Sequence, residues 1–230
     1  MSFNPRKMLG IASLFTAAAV TVVMLPSPSA TAADQDSRRN ARSVDDPRID
    51  RGFNIAPVPL NMRGKDPDLV GLGSYLVNVY DCNGCHSAGP ATEFAAGGNP
   101  YFGQKTAFNL STYLGGGRDF GAYPAEGPFP HIISRNLTPG KSGLPAGDLT
   151  FGDFRNIIRT GMDHDNAHPT CTGAPNGTCL PAPFDGSLLQ IMPWPLFQNM
   201  TEKELRAIYE YLSAIPCLEG GPRQEPGRCQ

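Results

Sequence analysis

Three side chains able to do chemistry stand together in the 230-residue chain: Cys82 and Cys85, three apart, with His86 directly after the second. On a helical turn, residues three and four positions apart share a face, so both thiols and the imidazole converge. Two such thiols can add across the two vinyl groups of a haem while the imidazole reaches the iron from the same side, and C-x-x-C-H is the spacing of that attachment. Other chemistries compete. A zinc site needs further ligands, and Cys171 and Cys179, with seven residues between them, do not supply a second C-x-x-C. A thioredoxin-type redox pair belongs in a βαβ setting, whereas the residues before Cys82 have helical spacing. A disulfide between cysteines three apart inside a helix is geometrically tight. The motif therefore predicts one covalently bound haem c, attached through Cys82 and Cys85, with His86 on the iron.

The iron then takes a sixth ligand or keeps an open position, and that choice separates an electron carrier from an enzyme. Four methionines follow the N-terminal segment: Met62, Met162, Met192 and Met200. Met200 precedes a helix in the staple position, with Leu205 as its packing partner, and reads as a packing residue. Met192 lies in Gln190-Ile191-Met192-Pro193-Trp194-Pro195, where two prolines stiffen the backbone and suit a weakly binding thioether. Met162 stands beside the polar Asp163-His164-Asp165 and ranks behind Met192. A distal histidine (His131, His164 or His168) and an open position stay as alternatives.

Those residues must be positioned by helices. Asp66-Pro67-Asp68 opens one, with Asp as N-cap and Pro at the first helical position, and Leu69, Leu72, Leu76 and Val79 continue at helical spacing towards Cys82. Thr150 caps a second, with apolar positions Phe154, Ile157 and Ile158 and Gly161 past its end. Thr201 and Glu204 form a capping box for a third, carrying Leu205, Ile208, Tyr209 and Leu212 on one face, with Pro216 beyond it. Between 88 and 130 the chain is rich in Gly, Pro and aromatics, which implies long packed loops and room for a short hairpin. Gly71-Leu72-Gly73 lacks the third glycine of a dinucleotide fingerprint, and Gly115-Gly116-Gly117 lacks the Lys-Ser/Thr of a phosphate loop.

Compartment follows from the start of the chain. Arg6 and Lys7 precede an apolar run from Leu9 to Leu25 and small residues to Ala33, so residues 1–33 read as a Sec-type export signal to the periplasm. Left uncleaved, that run would anchor the protein to the membrane. Its removal leaves 17 basic against 21 acidic residues, which excludes the basic face that nucleic acid requires. Residues 34–66 are charged and aperiodic and read as a flexible arm. In an exported chain the remaining cysteines are expected to close local loops, Cys171 with Cys179 and Cys217 with Cys229.

Taken together, Gly71 to Val77 leading into Cys82-x-x-Cys85-His86, then Arg135-Asn136-Leu137-Thr138-Pro139, Leu149 to Gly161, Met192-Pro193-Trp194 and the Thr201 helix resemble a class I monohaem cytochrome c. The likeness is strongest to cytochrome subunits and domains of bacterial membrane-linked alcohol and gluconate-type dehydrogenases, and it covers residues 67–216. It implies an all-α cytochrome c fold with few helices and long loops around the haem; the excursion over 162–190, the C-terminal tail at 217–230 and the N-terminal arm depart from the compact family pattern. It also implies terminal helices crossing at Gly73 against the Tyr209/Leu212 face, with Cys82 and Cys85 as thioethers and His86 and Met192 as axial ligands. Arg135 and Asn136 would stand near a propionate. The function implied is one-electron transfer without bond chemistry, with a redox partner protein: a dehydrogenase, a quinone-linked complex or a terminal oxidase. The alternatives are a haem enzyme, a peroxidase or sulfur-compound oxidase with an open distal site near His131 or His164, and a module in which haem only staples the loops.

Overall fold

The computed structural model describes residues 46–220 and 227–229, so the export segment read over 1–33 lies outside the described residues. Among the described residues, the helices that position the site are α1 (Pro47–Ile55), α2 (Pro67–Val79), α3 (Cys82–His86), α4 (Phe151–Thr160), α5 (Trp194–Phe197) and α6 (Glu202–Leu212), with a short turn of helix at Pro145–Asp148 besides. The expected caps form. The Asp66 carboxylate accepts from the Asp68 N–H, Thr150 caps α4, and Thr201 and Glu204 close a reciprocal capping box on α6. Each satisfies an N–H that the first helical turn leaves without an internal partner.

Two features depart from the all-α, loop-wrapped expectation. The long connection after α3 folds into an antiparallel hairpin, β1 (Asp119–Ala122) and β2 (His131–Ile133), so the body is mostly helical with a small sheet. Asp119 pairs with Ile133 and Ala122 with His131, and the one-residue mismatch is a bulge containing Gly121 at φ +86°. The charged arm over 34–66 contains α1, capped by Asp46 with Pro47 in its first turn. Only Ile49 and Gly52 of that helix are buried, too few to produce a readable period.

α2 is apolar nearly all round because it is covered on both sides. Gly71 and Gly73, two positions apart, point to opposite faces. A Cβ at Gly71 would meet Ile49 and Phe53 of α1, and one at Gly73 would fall on the backbone of Ala207 in α6. The α2–α6 crossing is therefore at Ala207 and Tyr211, one step round the helix from the expected Tyr209/Leu212 face. Leu72, Leu76, Leu205, Tyr211 and Leu212 fill the core around it, each nearly or fully buried and each aliphatic one contributing about 1.5–3 kcal/mol. One polar chain runs through this core. Tyr113 Oη donates to Asn78 Oδ1 at 2.7 Å and lies 2.9 Å from Tyr211 Oη, while Asn78 Nδ2 donates to the Ser74 carbonyl at 2.8 Å.

Both expected disulfides, Cys171–Cys179 and Cys217–Cys229, are present. The first staples the excursion between α4 and α5, which packs on the hairpin through Phe184 and Tyr123, ring centroids 5.0 Å apart. Among the described residues no helix is long and apolar enough to cross a membrane.

Candidate functional site

α3 is a single turn, too short to hold itself, and its neighbours hold it. Asp81, at φ +53°, reverses the chain after α2, and its carboxylate accepts from the Gly84 N–H at 3.2 Å. A Cβ at Gly84 would press on that carboxylate, which explains the glycine between the two cysteines. Three further bonds come from residues 114–118. The Leu114 N–H donates to buried Asn83 Oδ1 at 2.9 Å, and the Gly116 N–H donates to the His86 carbonyl at 2.6 Å. The Arg118 guanidinium donates to the Gly84 carbonyl and lies over the Phe120 ring, 4.6 Å from its centroid. The glycine run set aside as a failed phosphate loop has this purpose: Gly116 sits at φ +65°, where a Cβ would strike the backbone of Arg135 and Asn136. Asn83 and Arg118 were not singled out from sequence, and the glycine run, read there only as lacking a phosphate loop, was the local signal nearest to them.

His86 Nδ1 lies 2.7 Å from the Arg135 carbonyl. A carbonyl can only accept, so Nδ1 carries the proton and Nε2 is left as the coordinating nitrogen, the arrangement that fixes ring orientation in metal-ligating histidines. Burial pushes the imidazole below its usual range, against the opposing pull of the Arg135 carbonyl, and so favours the neutral ring that can ligate. Burial likewise pushes the Cys82 thiol up to about 12, helped by the nearby Asp81 and Cys85. A protonated, partly buried thiol is the opposite of the low-pKa thiolate of a redox catalyst. Cys82 and Cys85 are both free, while the cysteines that a zinc reading would recruit are bound in disulfides.

Cys82, Cys85 and His86 stand on the wall of a largely apolar cavity of about 440 Å³, within the size range of cofactor sites. Phe154 and Ile158 of α4 and Leu205 and Ile208 of α6 line it, together with Met192 and Met200. Met192 is held in consecutive tight turns: its N–H donates to the Gln190 carbonyl at 2.7 Å, and its own carbonyl accepts from the Trp194 N–H at 2.8 Å. Ile191 before it sits at φ +67°, a strained position for a β-branched residue. The loop is tied down where the Leu189 N–H donates to the Gly161 carbonyl at 2.7 Å and Trp194 Nε1 donates to the Leu189 carbonyl at 3.1 Å. The indole covers Gly161, which ends α4 at φ +73°.

The other candidates separate clearly. Met162 is 37% exposed and does not line the cavity, nor does Met62, which packs on the core elsewhere. His131 reaches the rim but binds Asp119 at 2.9 Å and is half exposed; His168 lines the wall, and His164 does not. Arg135 lines the cavity with its guanidinium on Asp163, whereas Asn136 faces away from it. Asn136 Oδ1 accepts from the Thr138 N–H and hydroxyl, and Nδ2 donates to the Leu218 carbonyl at 2.9 Å, so it fastens the C-terminal tail. Among the described residues no three His, Cys, Asp or Glu side chains gather closely enough to hold a bare metal ion. An apolar cavity with two free thiols, a tautomer-fixed imidazole and two thioethers fits a planar metal macrocycle.

No family model matches the chain. It is 27% identical over 146 residues to the cytochrome c subunit of a quinone alcohol dehydrogenase of Gluconacetobacter polyoxogenes, covering 64% of this chain and 22% of that protein. The matching subunit of Komagataeibacter europaeus gives the same figures, and the fructose dehydrogenase cytochrome subunit of Gluconobacter japonicus is 24% identical over 144 residues, 62% of this chain and 20% of its own. The chain thus matches about a fifth of the length of these relatives. Remote sequence similarity and a mostly helical body around an apolar site make this chain similar to the cytochrome c subunits of alcohol and fructose dehydrogenases, and support a cytochrome c-like family.

Proposed function

We propose that the chain carries one haem c and passes single electrons in the periplasm, with a domain over 67–216 as the haem-bearing unit. Its class would be that of monohaem cytochromes c. The haem supplies an iron that cycles between the ferric and ferrous states. The protein's own residues do the rest. Cys82 and Cys85 hold the group as thioethers, His86 presents Nε2 because Arg135 occupies its Nδ1 proton, and Met192 presents its sulfur from a loop fixed at Leu189 and Trp194. The apolar walls from α4 and α6 exclude water, and a Met/His pair raises the potential. With His86 and Met192 both holding the iron, no position would be left for a substrate, and bond chemistry would fall to a partner. That partner is a dehydrogenase, a quinone-linked complex or a terminal oxidase, the first by analogy with the relatives.

The observation that carries this reading is the 2.7 Å contact between His86 Nδ1 and the Arg135 carbonyl, beside two free thiols on an apolar cavity that Met192 also lines. The test is export of the protein from cells that attach haem. A covalent mass gain of a single haem, lost in Cys82→Ala with Cys85→Ala, supports it. The sulfur-to-iron band of the oxidised protein should vanish in Met192→Ala and persist in Met162→Ala and Met200→Ala. Rapid, tight carbon monoxide binding to the reduced protein would favour the enzyme alternative, and a colourless protein with both thiols open to alkylation would overturn the haem reading altogether.

A further inference from the structure

Arg135 is used twice. Its peptide carbonyl orients His86, while its guanidinium Nη2 donates to both Asp163 carboxylate oxygens, at 2.8 and 2.6 Å, and Nη1 donates to the Ala146 carbonyl at 3.0 Å. Asp163 is 3% exposed. Its carboxylate also accepts from Asn166 Nδ2 at 2.8 Å and from the Asp165 N–H at 3.3 Å, and the Asp165 carboxylate stands 3.8 Å from the same guanidinium. Asp163 follows directly on Gly161 and Met162. Those two residues pair with Leu189 and Leu188, the residues that lead into the Met192 turn. One ion pair thus joins the segment that aims His86 to the paired stems that carry Met192.

We propose that Asp163 is a positioning residue for Met192: its pairing with Arg135 locks the methionine loop to the segment that orients the opposite ligand. The inference rests on the reading that His86 and Met192 bind the same iron. A neutral thioether is a weak ligand and stays bound only if its loop is held, and the strained Ile191 before it gives that loop a reason to relax when released. The pair is well placed to hold it: both Asp163 oxygens accept from Arg135 Nη2, the Asp163 side chain is 4% exposed, and Arg135 Nη1 is fixed on the Ala146 carbonyl. Removing Asp163 leaves the shielded Arg135 guanidinium to the exposed Asp165 carboxylate 3.8 Å away, and so unfastens the Gly161 to Asp163 stem from the segment that orients His86.

The test uses the full exported chain with haem attached, comparing the parent with Asp163→Ala, Asp163→Asn and Asp163→Glu. In Asp163→Ala the sulfur-to-iron band should be largely lost at temperatures where the far-ultraviolet circular dichroism is unchanged. Carbon monoxide should bind the reduced form at least about tenfold faster, and the Leu189 N–H should exchange at least about tenfold faster. Asp163→Asn keeps the shape without the charge and should lie between, and Asp163→Glu should recover part of the band. Should Asp163→Ala not fold, Asp163→Asn carries the same comparison. A band and a carbon monoxide rate equal to the parent's, with only the melting temperature lowered, would overturn the proposal and leave the pair a purely structural one. A parent protein that itself lacks the band would instead overturn the Met192 ligation on which the proposal rests.

Discussion

Gly152 and Gly161 lie at the two ends of α4, and replacing each with alanine should have opposite effects. At Gly152 a Cβ would lie 3.6 Å from Thr150 Oγ1, an ordinary contact, and the backbone is helical. Alanine there should stabilise by about 0.5–1 kcal/mol through lower unfolded-state entropy. At Gly161 the backbone sits at φ +73°, which costs an alanine about 1–2 kcal/mol. Its Cβ would also lie within the Trp194 indole, and displacing a packed ring adds about 1–3 kcal/mol. The expected loss is about 2–5 kcal/mol, or at least about 4 °C in Tm for a protein of this size, against a gain of about 1–4 °C for Gly152→Ala. Trp194 is the only tryptophan, so its fluorescence in the haem-free protein reads the same event. Emission should shift to the red in Gly161→Ala as the indole leaves Gly161 and the Leu189 carbonyl, and in the haem-loaded protein the sulfur-to-iron band should weaken. A Gly161→Ala protein with the parent's Tm and an unshifted emission would show that Trp194 does not brace the Met192 loop.

Four further outcomes follow from the same geometry. Gly73→Ala should destabilise despite its better helix propensity, because overpacking the Ala207 backbone costs about 1–3 kcal/mol and propensity returns only about 1; a lower urea midpoint at constant m-value checks it. Tyr113→Phe should cost about 1–3 kcal/mol by leaving Asn78 Oδ1 without its donor, measurable by calorimetry. Burial holds Tyr113 well above its ordinary 10.0, so the folded protein keeps a proton that the unfolded chain releases; stability is lost as pH rises past 10, and Tyr113→Phe should lose it less steeply. In the haem-free protein Cys82, raised from 9.0 to about 12, adds stability that is present below pH 9 and drains away towards pH 12. Unfolding midpoints across that window should flatten in Cys82→Ala, and a parallel slope in both proteins would contradict the buried, neutral thiol.

Much of the site was legible in the residue order because its signals are local. A capping residue and its N–H partner are two or three positions apart, so Asp66, Thr150 and Thr201 announced their helices. Cys82, Cys85 and His86 share one turn, and the disulfide pairs close short loops, Cys171 and Cys179 being 8 positions apart and Cys217 and Cys229 12 apart. Met192 could be ranked above Met162 from its prolines, and the structure brings it to the cavity with His86 while leaving Met162 exposed. Helix α1 escaped notice because nine residues with two buried positions carry no period, while the short hairpin expected among the glycines and aromatics could not be placed until its strands paired at Asp119–Ala122 and His131–Ile133.

What the order of residues could not specify was anything requiring segments distant in sequence to meet. Arg135 was expected near a propionate, but 49 positions separate its carbonyl from the His86 ring it orients, and 28 separate its guanidinium from Asp163. Asn136 was expected at the cofactor, yet its side chain holds Leu218, 82 residues on. The bonds from Leu114, Gly116 and Arg118 that fasten the Cys82–His86 turn have no pattern of their own, since any loop residue with an N–H can donate one. Local sequence sets which backbone conformations are cheap, and so decides the helices and the Cys82–His86 turn. Only packing brings distant donors and acceptors within 3 Å, and that proximity gives His86 its tautomer and the Met192 loop its anchor.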